Sequence, residues 1–300
     1  MTDGNPHSDG LVVAAFGNRG RLETAEGETL PYLLKGRRLK AVCGDRVQWK
    51  QPPQSHEALI TDILSRENAL QRSDPKGRVE IIAANLTQLM VVLAPTPEPD
   101  LFLADRFLCA ATLMDCNPVV VCNKTDLQHN DALRAALDEY RQLGYVVVQT
   151  CAEPGGNVAD LASLLTGHTS MLVGQSGVGK SSLINALVGD AAAAVGALSD
   201  ASAEGKHTTS ATIMHRLADG TRLIDSPGVR EFVPNISASS EVQLGFPEII
   251  ALADRCRFAN CQHLREPDCA VKQATADGDL SPRRYASYKR MKNITASGSV

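Results

Sequence analysis

The stretch Met171-Leu172-Val173-Gly174-Gln175-Ser176-Gly177-Val178-Gly179-Lys180-Ser181-Ser182 decides the fold. Its first three residues end an apolar strand. Gly174–Ser181 follows the pattern G-x-x-x-x-G-K-[ST] and opens a helical run, Ser182–Leu187, with Gly189 placed to end it. Glycines at such a turn let main-chain N–H groups curl around phosphate oxygens without Cβ clashes, and the helix N-terminus adds partial positive charge. Lys180 is placed to reach the β- and γ-phosphates of a nucleotide, and the Ser181 hydroxyl to ligate Mg2+. The competing reading is a chance glycine loop. The Lys-Ser pair and the strand–helix context together argue against it.

Upstream, Asn123-Lys124-Thr125-Asp126 ends the strand Val119–Cys122. A carboxylate there can accept two hydrogen bonds from guanine N1–H and its amino group. Adenine offers neither donor and would leave the carboxylate unpaired, so the pair of motifs points to GTP rather than ATP. Thr150-Cys151-Ala152, after the strand Tyr145–Gln149, is placed to support the guanine ring through main-chain contacts. Downstream, Asp225-Ser226-Pro227-Gly228 ends the strand Leu223-Ile224. Asp225 is placed to hold Mg2+ through a water, and the Gly228 amide to meet the γ-phosphate. Between these motifs lies Gly205-Lys206-His207-Thr208-Thr209-Ser210, where Thr208 or Thr209 can complete the Mg2+ shell. The small, polar stretch Ala191–Glu204 before it reads as a switch loop. Val229 stands where many GTPases place a water-orienting glutamine, which predicts slow intrinsic turnover and stimulation by a partner. His207 is the candidate to replace that glutamine; its alternative is a loop hydrogen-bonding residue.

The order is base, base support, phosphate, first switch, second switch. In the usual small GTPase the phosphate loop comes first, so the domain is circularly permuted, which is tolerated where termini lie close together on the surface. Asp225–Gly228 then feeds directly into the C-terminal region, which predicts mechanical transmission of the γ-phosphate state to that region.

Around this centre the texture changes. Residues 1–9 read as a flexible polar tail. Short β segments at Leu11–Phe16, Arg21–Thr24, Asp45–Trp49, Ala58–Leu64 and Gln88–Leu93, separated by turn signals, predict a small barrel over 10–85, with the five-stranded OB-fold leading. Over 86–236, apolar strands alternate with helical patterns at Leu101–Met114, Asp131–Leu143, Val158–Leu165 and Ser181–Leu187. That alternation predicts a mostly parallel sheet covered on both faces, with an antiparallel pair about Ala218-Asp219-Gly220. Residues 237–294 read as a helical Cys/His-bearing domain with Ser281-Pro282 opening its last helix, and 295–300 as a frayed tail.

In that last region Cys256-x4-Cys261-x-His263-x5-Cys269 gathers three thiolates and an imidazole. The set suits a closed, structural tetrahedral zinc site, with no position left for a catalytic water. Buried cysteines beside a solvated histidine are the alternative. Cys43, Cys109, Cys116, Cys122 and Cys151 read as small core residues.

Composition narrows the setting. The 300 residues are 43% hydrophobic and 21% charged with a net charge of −4, which excludes a wholly disordered chain and a globally basic nucleic-acid coat. Eight cysteines are too few for a secreted disulfide scaffold, and neither a signal peptide nor a run of about 20 apolar residues is present. A cytoplasmic protein with reduced thiols and no membrane contact is expected. The charge is uneven: residues 86–239 carry 9 basic and 16 acidic residues, while both flanks are slightly basic. Two basic clusters stand out, Lys35-Gly36-Arg37-Arg38-Leu39-Lys40 and Arg283-Arg284 with Lys289, Arg290 and Lys292, the second interleaved with Tyr285 and Tyr288. Both are candidate RNA surfaces with stacking options; a solvated helix face and an ordinary basic loop are the plainer alternative.

With Asn123–Asp126, Gly174–Ser181, Gly205–Thr209, Asp225–Gly228 and the Cys/His cluster in place, the chain resembles the RsgA (YjeQ/YloQ) family of permuted GTPases. The resemblance covers nearly the whole chain. It departs at Ser210, where the family often continues threonine, and at Cys151, where serine is common. It implies GTP hydrolysis with Mg2+, one structural Zn2+, and binding to the small (30S) ribosomal subunit and its 16S rRNA. It also implies a role in late subunit maturation, as a nucleotide-dependent checkpoint stimulated by the subunit. A monomer is expected. The competing class is a GTP-gated RNA- or protein-binding module whose hydrolysis is incidental.

Overall fold

The computed structural model describes residues 8–73, 78–128, 130–153, 156–195, 212–217, 220–226, 234–236 and 239–297, with the main chain alone at 190–195 and 297. His207, Thr208, Thr209, Gly228 and Val229 lie outside the described residues, as does the expected switch loop from residue 196 onward; its first residues, 191–195, are not loop but the end of a helix.

The N-terminal strands are β1 (Ser8–Phe16), β2 (Arg19–Thr24), β3 (Thr29–Leu34), β4 (Arg46–Lys50) and β5 (Ala58–Ile63). They run in the order β1-β2-β3-β5-β4, and β4 pairs back onto β1, closing a five-stranded barrel of OB type. Alternate residues Val12, Leu22, Tyr32, Leu34, Val47, Ala58 and Ile60 fill it. One expected strand is exchanged. Gln88–Leu93 belongs to the next sheet, and β3 takes its place although Pro31 lies within it, opposite Arg21. Strand β1 begins at Ser8, inside the expected tail, because Ser8 and Asp9 pair with Trp49 and Gln48. A hairpin, β6 (Ala69–Ser73) and β7 (Val79–Ala84), follows the barrel.

The second sheet alternates as expected: β8 (Gln88–Leu93), α1 (Leu101–Leu113), β9 (Asn117–Cys122), α2 (Asp131–Gln142), β10 (Val146–Gln149), α3 (Ala159–Leu165), β11 (Thr169–Val173), α4 (Lys180–Val195), β12 (Thr212–Arg216) and β13 (Arg222–Asp225). The order is β10-β9-β8-β11-β13-β12, parallel except for β12, which runs antiparallel to β13. All six residues of β8 are buried. Leu89, Val91 and Leu93 face α1 and α2 through Phe107, Leu108, Leu133 and Leu137. Met90 and Val92 face α3 and α4 through Leu161, Leu165, Leu183 and Leu187. Burial on both faces is what makes the strand read as a continuous apolar run. Helix α4 does not stop at Gly189; it continues to Val195, and nothing lies within 4 Å of where a Cβ at Gly189 would sit. A single interior glycine lowers helix stability by about 1 kcal/mol relative to alanine without breaking it.

The two sheets are one. Strand β1 is long enough for two partners: residues 8–11 pair with β4, and Ala14 and Ala15 pair with Ile213 and Thr212 of β12. A register shift between Val12 and Ala14 separates the two halves. The result is a continuous eleven-stranded sheet. Glu23 on β2 adds ion pairs to Arg222 (3.0 Å) and Arg216 (3.8 Å).

The C-terminal region has a 3-10 segment (Ser239–Gly245), α5 (Pro247–Ala253), α6 (Ala270–Asp277) and α7 (Pro282–Ser297). Pro282 occupies the first position of α7, and the Arg284 N–H donates to Ser281 Oγ at 3.3 Å. Residues 295–297, expected to fray, are helical. The region packs on α1 through a buried charge cluster. Asp105 is fully buried and accepts from Arg284 (2.6 Å), Arg283 (2.9 Å) and the Tyr140 hydroxyl (2.7 Å). Arg284, also fully buried, donates to Glu248 at 2.7 Å, and Arg283 pairs with Glu139. Removing one partner of such a buried pair strands the other charge away from water. Arg284→Ala should therefore destabilise the fold by about 3–5 kcal/mol, read by denaturant unfolding; a change under about 1 kcal/mol, the size of an exposed pair, would show the cluster to be incidental.

Candidate functional site

The carboxyl ends of β8, β9, β10, β11 and β13 lie along one edge of the parallel sheet, so the loops that follow them converge. The loop after β11 is the glycine-rich one. Gly174, Gly177 and Gly179 all have positive φ (138°, 81° and 91°). A Cβ at Gly179 would collide with the Asn123 side chain, so this glycine lets the loop after β9 approach. Asn123 is buried and its Nδ2 donates to Val178 O at 2.9 Å. Lys124 takes a left-handed backbone (φ 60°) and its Nζ donates to Gly177 O (2.7 Å) and Thr96 O (2.9 Å). Lys180, 9% exposed, lies over its own loop, donating to Gly174 O (2.7 Å) and Gln175 O (2.8 Å). Gln175 Oε1 accepts from Asp100 N (3.1 Å), while Asp100 caps α1 through Leu103 N (2.9 Å). The phosphate loop is therefore tied to the loop after β8 through Gln175 and to the loop after β9 through Gly177 and Val178, while the candidates Ser176, Ser181 and Ser182 lie in the same loop and the first turn of α4.

The base-reading candidates also come together. Thr125 Oγ1 donates to Thr150 O at 3.1 Å, and the Cys151 thiol donates to Asp126 Oδ1 at 3.1 Å. Cys151 was expected to act through its main chain; its side chain is engaged as well, and Ala152 follows it in the same loop. Asp126 itself is exposed, open to a ligand. Asp225 ends β13, half-buried, beside the strand that leads into the phosphate loop. His215, on neighbouring β12, has its pKa lowered by burial, although Asp225 acts the other way. The Ser181 hydroxyl and Asp225 carboxylate are oxygen donors at the same sheet edge, the set a hard cation such as Mg2+ takes.

The second site is the metal cluster. Cys256, Cys261, His263 and Cys269 bring their ligand atoms within 4.8 Å of one another. His263 Nδ1 lies 3.5 Å from both Cys256 and Cys269 sulfurs, which are 3.9 Å apart. A tetrahedral ion with bonds of about 2.3 Å to sulfur and 2.0–2.1 Å to nitrogen spans such separations, so the cluster fits a metal ion such as zinc. A residue unnoticed in the sequence organises this loop. Glu266 accepts main-chain N–H bonds from Gln262, Leu264 and Arg265 at 2.9–3.0 Å. Burial works against its charge, yet those donors hold its carboxyl down to about 2. The other five cysteines are buried, as expected, and no cysteine is in a disulfide.

One of the two basic clusters is corrected. On α7, Arg284, Tyr285, Tyr288 and Lys292 are buried. Tyr285 and Tyr288 donate to His263 O (2.7 Å) and Gln262 O (2.8 Å), bracing the metal loop, and Lys292 donates to Ser239 O (2.7 Å). These aromatics stack on protein, so they are not an RNA platform. Lys289 and Arg290 remain exposed, as do Lys35, Arg37, Arg38 and Lys40 on the barrel.

A family model described as RsgA GTPase matches residues 63–234. The chain belongs to the RsgA GTPase family. It is accordingly a GTPase, a hydrolase. Relatives of RsgA type from Ectopseudomonas mendocina and Azotobacter vinelandii, each named small ribosomal subunit biogenesis GTPase RsgA, are 40% and 38% identical over 296 residues, covering 96% of this chain and 86% of theirs. The crystal structure of YjeQ from Thermotoga maritima superposes with a TM-score of 0.73 at 29% identity, covering 97% of this chain and 99% of that one. YloQ, a circularly permuted GTPase, shares the fold at a TM-score of 0.71 and 23% identity, covering 100% and 99%. Among the described residues no helix is long and apolar enough to cross a membrane.

Metal analysis of the purified RsgA-family chain should find one tightly held ion per molecule. Cys261→Ser should release it and lower the melting temperature; full stability without metal would show that the thiols serve only as core.

Proposed function

We propose that this GTPase binds the small (30S) ribosomal subunit through 16S rRNA and acts late in its maturation as a nucleotide-dependent checkpoint, with slow intrinsic hydrolysis that the subunit stimulates. The observation that carries the reading is the lacing of Asn123 and Lys124 onto the phosphate loop, which makes one guanine nucleotide site out of segments in permuted order. The relatives named as small-subunit biogenesis factors supply the partner.

In this reading Asp126 accepts from guanine N1–H and its amino group, held in place by Cys151, and the main chain of Cys151 and Ala152 supports the ring. Main-chain N–H groups of Gly174–Ser182 and the Lys180 ammonium bind the phosphates; Lys180 leaves its loop carbonyls for the β- and γ-phosphate oxygens. Ser181 and Asp225, with Thr208 or Thr209, would hold Mg2+, which would supply neutralisation of the phosphate charge; the Gly228 amide meets the γ-phosphate. Catalysis is positioning and charge stabilisation of an in-line water, which His207 orients. Zn2+ in the Cys256, Cys261, His263 and Cys269 set is structural. The exposed Lys35, Arg37, Arg38 and Lys40 of the barrel supply phosphate contacts to rRNA, in a cytoplasmic monomer. Organisation into a barrel over 10–85, a permuted GTPase domain over 86–236 and a zinc domain over 237–294 accompanies this division of labour.

The first test is turnover with and without purified small subunits. Stimulation should exceed about tenfold, equivalent to about 1.4 kcal/mol of barrier, and fade as salt weakens phosphate contacts. Absence of stimulation would favour a GTP-gated binding module. In the same assay His207→Ala should lose most of the stimulated rate while nucleotide affinity stays unchanged; an equal rate would return His207 to a loop role. Asp126→Asn should weaken GTP binding and shift preference toward xanthosine nucleotides, and an unaltered preference would remove Asp126 from base reading.

A further inference from the structure

Two residues at the start of β12 belong to three parts of the molecule. On one side, the main chain of Thr212 and Ile213 pairs with Ala15 and Ala14 of the barrel strand β1. On the other, β12 pairs with β13, with Ile213 opposite Asp225. The half-buried Thr212 hydroxyl donates to Ser226 Oγ at 3.0 Å. Ser226 is the residue directly after Asp225.

Strand β13 is only four residues long and Asp225 is its last. Where the Asp225 carboxylate sits therefore depends on what holds the chain just beyond the strand. Among the described residues, Thr212 makes the side-chain hydrogen bond to that chain. Its own main chain is in turn fixed by the barrel. The far end of β12 is fixed too, through Arg216 and its neighbour Arg222 on Glu23. Misplacement of a positioned group by about 1 Å can cost orders of magnitude in an active site, so a hydrogen bond at this point has leverage beyond its own energy.

We propose that Thr212 is a positioning residue: its hydroxyl fixes Ser226, and through it Asp225, so that the barrel forms part of the support for the magnesium end of the nucleotide site. Thr212 touches neither nucleotide nor metal. The proposal rests on the reading of Asp225 as a magnesium-holding residue.

The test uses the full chain and three proteins: wild type, Thr212→Val, which keeps the β-branched shape without the hydroxyl, and Thr212→Ser, which keeps the hydroxyl. Binding of a non-hydrolysable GTP analogue is measured in magnesium-containing and magnesium-free buffer. Wild type and Thr212→Ser should show the same magnesium-dependent gain in affinity. Thr212→Val should lose about threefold to tenfold of that gain, the size of one hydrogen bond, with unchanged affinity in magnesium-free buffer. Amide hydrogen exchange at Ala14 and Ala15 should slow when analogue and magnesium are added to wild type, and not in Thr212→Val. A full magnesium-dependent gain in Thr212→Val overturns the proposal. So does a loss that is equal with and without magnesium, which marks a merely structural residue. If wild type itself gains nothing from magnesium, the reading of Asp225 falls first and the proposal with it. Should Thr212→Val fail to fold, Ser226→Ala removes the same bond from the other side and carries the same expectations.

Discussion

Main-chain hydrogen bonding between parallel strands holds the described nucleotide-site loops of this protein at one edge. The carboxyl ends of β8, β9, β10, β11 and β13 are neighbours in the sheet whatever the order in which the chain visits them. That is why permutation leaves the site intact: Asn123, which precedes Val178 by 55 positions, still reaches its carbonyl. The requirement falls on local geometry instead, on a glycine at 179 and a left-handed lysine at 124, which allow two loops to share a few ångströms of space.

From that edge the molecule extends in two directions by different means. Toward the barrel it uses main chain, pairing β12 with β1. Toward the C-terminal Cys/His region it uses side chains, a buried cluster of Asp105, Arg283, Arg284 and Glu248 on the flank of α1. Pro234 and Asn235, further along the chain from Asp225, are anchored as well, on the hairpin and on α1. Asn235 N donates to Gln71 O (2.9 Å), Arg72 bridges with Pro234, and Arg106 donates to Pro234 O (3.4 Å). Residues 234 and 235 thus lie against β6.

How much was legible follows from the range of the interactions involved. The phosphate loop, the Asn-Lys-x-Asp stretch and the Cys/His cluster are compact, with chemistry carried by residues adjacent in sequence, and the sequence suffices to find them. The alternation of β8 to β13 with helices is equally local. Strand β3 was hidden by Pro31, whose cost depends on which neighbour it faces. The basic helix was misleading for the same reason in a stronger form. Arg284 is buried because Asp105, 179 positions earlier, neutralises it, and Tyr285 and Tyr288 are buried because the metal loop needs donors to its carbonyls. No pattern within α7 distinguishes an arginine destined for a buried carboxylate from one destined for a phosphate. The role of the Cys151 side chain was likewise invisible, since the partner that engages it lies in another loop.

The shared strand also disposes of a hazard. A sheet edge with unpaired main-chain groups invites pairing with another molecule, and natural proteins keep such edges short, covered or charged. In this protein β12 would be that edge, but β1 covers its first residues, and the barrel that supplies β1 closes on itself through β4. Among the described strands of the large sheet, what is left open is the last part of β12 and the end strand β10, only four residues long. A fragment cut between barrel and nucleotide sheet would bare β12, so the barrel acts as an intramolecular guard against self-association.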